Sequence, residues 1–117
     1  MGTFNIEIGI GDPNRVRWRT LNALVDTGAT ITALPTSVLR DLDIEPAFRQ
    51  SFRSAHGESR EMDVGHTWVR VDGKETLTPV LFNEEGSTPL LGAVTLESVF
   101  MMVDPVDQKL IPRQGLI

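Results

Sequence analysis

The sequence predicts a mainly β domain, closed or sandwich-like, with one or two short helices. Three observations predict it. Phe4, Ile6, Ile8 and Ile10 alternate with polar or small residues, the period of a half-buried strand. Turn chemistry then recurs at short intervals: Gly11-Asp12-Pro13-Asn14, Asp72-Gly73 and Asp104-Pro105-Val106-Asp107. Only two brief stretches show helical spacing. At 117 residues the chain is long enough to bury about two-thirds of its unfolded surface, and it is read as a single domain, 1–117.

Each element follows in order. The first strand spans Thr3 to Ile10. Arg15 to Val25 returns as a longer strand, with Val16 and Trp18 on one face and Arg15, Arg17 and Arg19 on the other. Alternate charges of that kind mark a solvated face. Thr30 to Leu34 is a short strand. Pro35 suits a first helical turn, where its missing N–H is not needed, and Val38, Leu39 and Leu42 continue a helix from Pro35 to Leu42. Asp43-Ile44-Glu45-Pro46 ends it. Phe48–Ala55 and Arg60–Val71 form a long hairpin around the polar tip His56-Gly57-Glu58-Ser59. Asp72-Gly73 is a two-residue hairpin signal leading to a strand at Glu75–Phe82, and Asn83–Thr88 is a loop. Pro89-Leu90-Leu91-Gly92 is a buried short strand and Val94–Val99 a second helix. Strands at Phe100–Val103 and Lys109–Pro112 close the chain.

Composition removes several classes of function. There is no cysteine, hence no disulfide framework and no thiolate metal site. A net charge of −5 repels nucleic acid and anionic membrane. No apolar run approaches the length of a bilayer span. The start, Met1-Gly2-Thr3-Phe4-Asn5, has neither a basic nor an apolar stretch, so no signal peptide and a cytoplasmic location are expected.

One stretch carries chemistry. In Leu24-Val25-Asp26-Thr27-Gly28-Ala29-Thr30 an apolar run delivers a carboxylate to a tight turn, and Ile31 to Leu34 leads away from it. A carboxylate at a buried strand end needs hydrogen bonds to its oxygens or a retained proton. Gly28, without a Cβ, lets the backbone bend and leaves its N–H free to point at the carboxylate. Thr27 adds a hydroxyl that can bond to another backbone, and Ala29 keeps the space above small. The plain alternative is a turn that only caps a hairpin.

These residues resemble the retropepsin-like aspartic proteases, in particular the small single-domain versions found in bacteria and archaea. The resemblance runs from Leu24-Val25-Asp26-Thr27-Gly28-Ala29 and Leu34-Pro35, through the hairpin around Gly57 and Gly65, to Leu90-Leu91-Gly92, Thr95-Leu96-Glu97 and Val103-Asp104-Pro105. It implies an acid-protease half-barrel, a closed β-barrel-like subunit in which Leu90-Leu91-Gly92 packs beneath the loop and threads between its strands. It also implies an aspartic endopeptidase acting on peptide or protein substrates, without a cofactor. That chemistry needs two carboxylates sharing one proton, because two so close cannot both ionise. The chain holds a single Asp-Thr-Gly, so the resemblance implies a homodimer with Asp26 opposite Asp26, water as the nucleophile, and Thr27 reaching across the axis. Phe4–Ile10 and Lys109–Ile117 are candidates for an intersubunit sheet, or for pairing within one subunit. Ala55, His56, Gly57 and Glu58 would form the flap over the substrate.

Two departures weigh against an ordinary retroviral enzyme. Retroviral members follow the loop with an acid and the hydrophobic-hydrophobic-Gly with an arginine, a pair that braces the dimer; here Thr30 and Ala93 occupy those places. The flap carries Gly57 alone at its tip, and the chain has no tyrosine. Weak or substrate-restricted activity is the expectation. The rival function is a non-catalytic dimeric peptide-binding or adaptor module on the same fold, and the rival fold is a mixed α-plus-β sandwich with no closed dimer. His56 and His66, near Glu58 and Asp63, match no compact metal-ligand spacing, so no metal is expected.

Overall fold

The computed structural model describes residues 3–117; Met1 and Gly2, part of the start read above for a leader, lie outside the described residues. Nine strands occur among the described residues: β1 (Asn5–Gly11), β2 (Trp18–Val25), β3 (Thr32–Pro35), β4 (Phe48–Arg53), β5 (Ser59–Val71), β6 (Lys74–Asn83), β7 (Leu90–Leu91), β8 (Met101–Asp104) and β9 (Lys109–Pro112). Two short helices, α1 (Thr36–Asp41) and α2 (Ala93–Ser98), complete the described elements. Among the described residues no helix is long and apolar enough to cross a membrane.

The main sheet has seven strands in the order β1-β2-β7-β3-β6-β5-β4, and β1 also pairs with β5. That extra pairing, Gly9↔Arg70 to Gly11↔Trp68, closes β1, β2, β7, β3, β6 and β5 into a ring, leaving β4 as an outward extension of β5. Closure removes most free edges, and the inward side chains fill the interior. Ile8, Ile10, Val25, Leu34, Val69, Val71, Val80 and Leu91 are buried there, with Leu39 of α1 and Leu96 of α2 packed against them. The fold is therefore mainly β with two short helices, as the sequence predicts.

The differences from the predicted elements have local causes. The second strand does not begin at Arg15. The Asp12 carboxylate accepts N–H groups from Val16 at 2.7 Å and Arg17 at 3.0 Å, and Asp12 N donates to Arg17 O at 3.0 Å. These bonds fold 12–17 into a closed turn, with Arg15 at φ 56°, and Val16 is 76% exposed instead of sharing a face with Trp18. The three arginines are solvated as expected, yet each meets a carboxylate: Arg15 meets Glu75, Arg17 meets Asp43 and Arg19 meets Asp41. Pro35 ends β3 rather than opening a helix, and α1 starts one residue later. Glu85, from the loop after β6, takes the Ser37 N–H at 2.7 Å and so supplies the cap that Pro35 cannot. An anion there is favoured by the helix dipole. Phe100, expected in a strand, sits at φ 57° in the turn before β8.

Of the two segments considered for an intersubunit sheet, Phe4–Ile10 is committed inside the chain. β1 pairs with β2 along its whole length and with β5 at its end. Among the described residues Lys109–Pro112 pairs only with β8, in a separate two-stranded sheet.

Asp12 gives this fold a measurable pH dependence. The Arg17 and Val16 N–H groups and the Arg17 charge hold its carboxyl below the usual carboxylate range, against an opposing push from burial. A group depressed on folding contributes stability that is complete above its unfolded value, 3.8, and is lost as pH falls through its lower folded value. Asp12→Asn is expected to lower the denaturation midpoint at neutral pH. Below 3.8 its midpoint should approach that of the wild type, as followed by urea denaturation across the acidic range.

Candidate active site

The position of Asp26 is set by the strand that carries it and the strand beneath. β2 runs parallel to β7 with Leu24 opposite Leu90 and Val25 opposite Leu91. Leu24 N donates to Pro89 O at 2.9 Å and Asp26 N to Leu91 O at 3.0 Å, so the ladder continues up to the aspartate itself. The chain then turns: Ala29 N donates to Asp26 O at 3.1 Å, and Gly28 N donates to Asp26 Oδ1 at 2.9 Å. A side chain at Gly28 would place its Cβ 3.2 Å from that same oxygen, crowding the carboxylate it serves. Asp26 is half-buried, while Thr27 and Gly28 are exposed.

Leu90-Leu91-Gly92 lies under this loop. β7 bridges β2 and β3, pairing parallel with the first and antiparallel with the second at Ala33↔Leu90. Leu91 is fully buried. At Gly92 a Cβ would fall 2.4 Å from the Ile31 carbonyl carbon and 2.5 Å from its oxygen, distances no side chain tolerates. Gly92 N donates to Thr32 Oγ1 at 3.1 Å. Beyond it, α2 opens with its first N–H groups on the loop's own carbonyls, Ala93 N to Ala29 O at 2.8 Å and Val94 N to Thr30 O at 3.1 Å.

A buried group of three threonines completes this support. Thr32 and Thr95 hydroxyls lie 2.6 Å apart, and those of Thr78 and Thr95 lie 3.1 Å apart. All three are essentially inaccessible to solvent, yet every hydroxyl has a partner. Reading the sequence missed their role. The available signal was Thr32 interrupting the apolar run Ile31–Leu34.

The hairpin of β4 and β5 stands over the loop. Its tip, Ala55, His56, Gly57 and Glu58, is exposed, and is closed by Ser54 N to Glu58 O at 2.7 Å and Gly57 N to Ser54 O at 3.0 Å. Ser54 Oγ also accepts the His56 and Glu58 N–H groups at 3.3 Å, another role the sequence did not reveal. Between hairpin and loop is a cavity of about 390 Å3, floored by Ile31, Ala33, Leu81 and Leu90 and walled by Phe52 and Met62. A second cavity, about 350 Å3, opens on the other side of the loop between Asp26, Thr27, Phe4, Val103 and Pro105. Gly28 borders both. Asp26, Thr27, Gly28, Ala29, Leu90, Leu91 and Gly92 are thus assembled in one place, while Ala55, His56, Gly57 and Glu58 border neither cavity. His66 points outward from the middle of β5, opposite Pro79, and no group of three potential metal ligands occurs among the described residues.

Two substitutions test the support. Gly92→Ala has no room for its methyl and is expected to cost about 3 kcal/mol, the upper end of ordinary overpacking. Thr32→Val keeps the shape but leaves the Gly92 N–H unpaired in the interior, at about 1–3 kcal/mol. Denaturant titration of both variants measures these losses. A Thr32→Val protein as stable as the wild type would show that the hydroxyl does not hold the crossing.

Comparison with known proteins agrees with this geometry. The family model described as gag-polyprotein putative aspartyl protease matches residues 15–98, most of the chain. The solution structure of Simian Foamy Virus (mac) protease superposes with a TM-score of 0.58 at 26% identity, over 80% of this chain and 92% of that one. EIAV protease complexed with the inhibitor HBY-793 superposes with a TM-score of 0.60 at 19% identity, over 94% of this chain and 93% of that one. No curated protein matches the sequence. The match spans the Asp26 loop, the hairpin above it and the Leu90-Leu91-Gly92 crossing below, and the chain belongs to the gag-polyprotein putative aspartyl protease family.

Proposed function

We propose that the protein is an aspartic endopeptidase whose reacting dyad is Asp26 from each of two copies. One observation carries the reading: a single carboxylate is held in place by the Gly28 N–H on a loop fixed from below, with an apolar cavity on either side. One cavity suits a substrate side chain under the hairpin. The other leaves space beside Asp26 for the partner's loop. The expected chemistry is hydrolysis by a bound water. One carboxylate takes a proton from the water as its oxygen attacks the peptide carbonyl carbon, and the other donates a proton to the carbonyl oxygen. Collapse of the tetrahedral intermediate breaks the C–N bond, and the leaving amine takes up a proton. Thr27, exposed beside Asp26, is the residue proposed to contact the partner loop across the two-fold axis. Ala55, His56, Gly57 and Glu58 are proposed to close over a bound peptide, which supports the exclusion of water during the reaction.

Dimer contacts are proposed on the β8–β9 side. Among the described residues β9 has one unpaired edge, and Met102, Val106 and Leu116 expose apolar surface around β8 and β9, whereas β1 has its pairing taken up within the chain. Thr30 and Ala93 supply neither charge of the retroviral brace, so the proposed dimer would rest on this apolar surface instead.

The test is cleavage of a complex peptide mixture from about pH 4 to about pH 7, wild type beside Asp26→Asn. The wild type is expected to generate new products, with a rate that rises and then falls across the acidic range. The variant should lose more than about a thousandfold in kcat. Light scattering over a concentration series provides the second readout. A strict monomer, even with peptide bound, overturns the two-carboxylate mechanism. A dimer that binds peptides and cuts none supports the adaptor reading.

A further inference from the structure

The cavity between hairpin and loop has a charge pattern that its apolar floor does not call for. In the β4–β5 ladder Phe52 stands opposite Arg60 and Gln50 opposite Met62, so Arg60 shares a face with the two apolar walls of the cavity. Arg53 lines the same cavity from the end of β4. No carboxylate lines it among the described residues. Arg53 has no acidic partner among those residues, unlike Arg49 on the same strand, which holds Asp63 at 3.1 Å. Among the described residues Arg60 has one acidic partner, Glu84 at 2.7 Å, with the two side chains 55% and 65% exposed. A pair so open to solvent is easily exchanged for another carboxylate. On a chain of net charge −5, two cations at one rim are a local reversal of sign. Fields of that kind concentrate anionic ligands at a cleft.

We propose, building on the protease reading, that this groove selects extended peptides with an apolar side chain on the Ile31–Leu90 floor and an acidic side chain within two residues of it, bound by Arg53 and Arg60. An extended peptide advances roughly 3.3 Å per residue with side chains on alternate faces. An aspartate or glutamate close in sequence to the seated residue therefore reaches the rim. Guanidinium groups suit such a carboxylate because they offer paired N–H donors in one plane. Glu84 competes for Arg60 and moderates the preference.

The experiment uses short alanine-frame peptides with a central Leu-Phe pair, in which a single glutamate or its glutamine isostere is moved through the flanking positions. Cleavage gives kcat/KM, and fluorescence anisotropy of labelled versions gives affinity. At one flanking position the wild type should favour glutamate over glutamine by about fivefold, the upper range for exposed ion pairs. The ratio should fall towards one in the Arg53→Gln/Arg60→Gln double variant and at high salt, and rise in Glu84→Gln. Equal handling of both peptides, or a preference unchanged by the double variant, overturns the selectivity. Cleavage of both peptides at equal rates does so while leaving the protease intact. Tighter, arginine-dependent binding of the glutamate peptide without cleavage upholds the selectivity and rejects the protease.

Discussion

Everything around Asp26 depends on how closely Gly92 passes the Ile31–Thr32 peptide. No side chain fits between them, so the backbones are in direct contact, and that closeness lets one short strand serve three neighbours. β7 bonds to β2 on one side and β3 on the other, while Gly92 N reaches Thr32 Oγ1. The loop that bears the carboxylate therefore spans two strands with a third wedged below. Its height is fixed by hydrogen bonds whose lengths vary little. The threonine group extends the constraint into β6 through Thr78, tying the loop to the strand next to β3 in the ring. Buried polar groups of this kind are costly unless each finds a partner, and here each does.

The same crossing fastens the loop to α2 without a charged side chain at position 30 or 93. Thr30 and Ala93 carry no charge, and the two segments are fastened through Val94 N to Thr30 O and Ala93 N to Ala29 O. Backbone bonds carry no screening by salt and no side-chain entropy, so they hold the loop to α2 as firmly as an exposed ion pair would. They act within one chain, however. Under the proposed dimer, what a charge pair could add between copies would fall to apolar surface near β8 and β9.

How much of this was legible in the sequence depends on the range of the interaction. Alternation fixed β1, and Asp72-Gly73 fixed the β5–β6 turn, because both are local signals. Asp26-Thr27-Gly28 and Leu90-Leu91-Gly92 could be singled out as motifs, and the structure brings them together. The Arg15 start of the second strand was misread because the competing bonds come from a single carboxylate, Asp12, whose reach to Val16 and Arg17 leaves no periodic trace. Glu85 capping Ser37, and Thr95 meeting both Thr32 and Thr78, join residues far apart in sequence, so no local pattern announces them. The arginines at the groove were hidden for a related reason. Arg53 and Arg60 look like ordinary strand-surface charges until the hairpin is placed over the Ile31–Leu90 floor.

A loop prepared inside one chain also changes what a second copy must contribute under the proposed dyad. Gly28 already orients the Asp26 carboxylate, and the loop is already braced by β7 and α2. Ordering costs for these groups are met on folding rather than on association, as in any preorganised site. A partner then has to supply proximity and a second prepared carboxylate, not a rearrangement. A weakly held dimer can therefore present a well-formed site for as long as it persists, and a peptide lying across both copies would prolong that time by binding only the pair. Under the proposed dyad, substrate and assembly would in this way be coupled: a peptide that contacts both copies would also hold the two aspartates together.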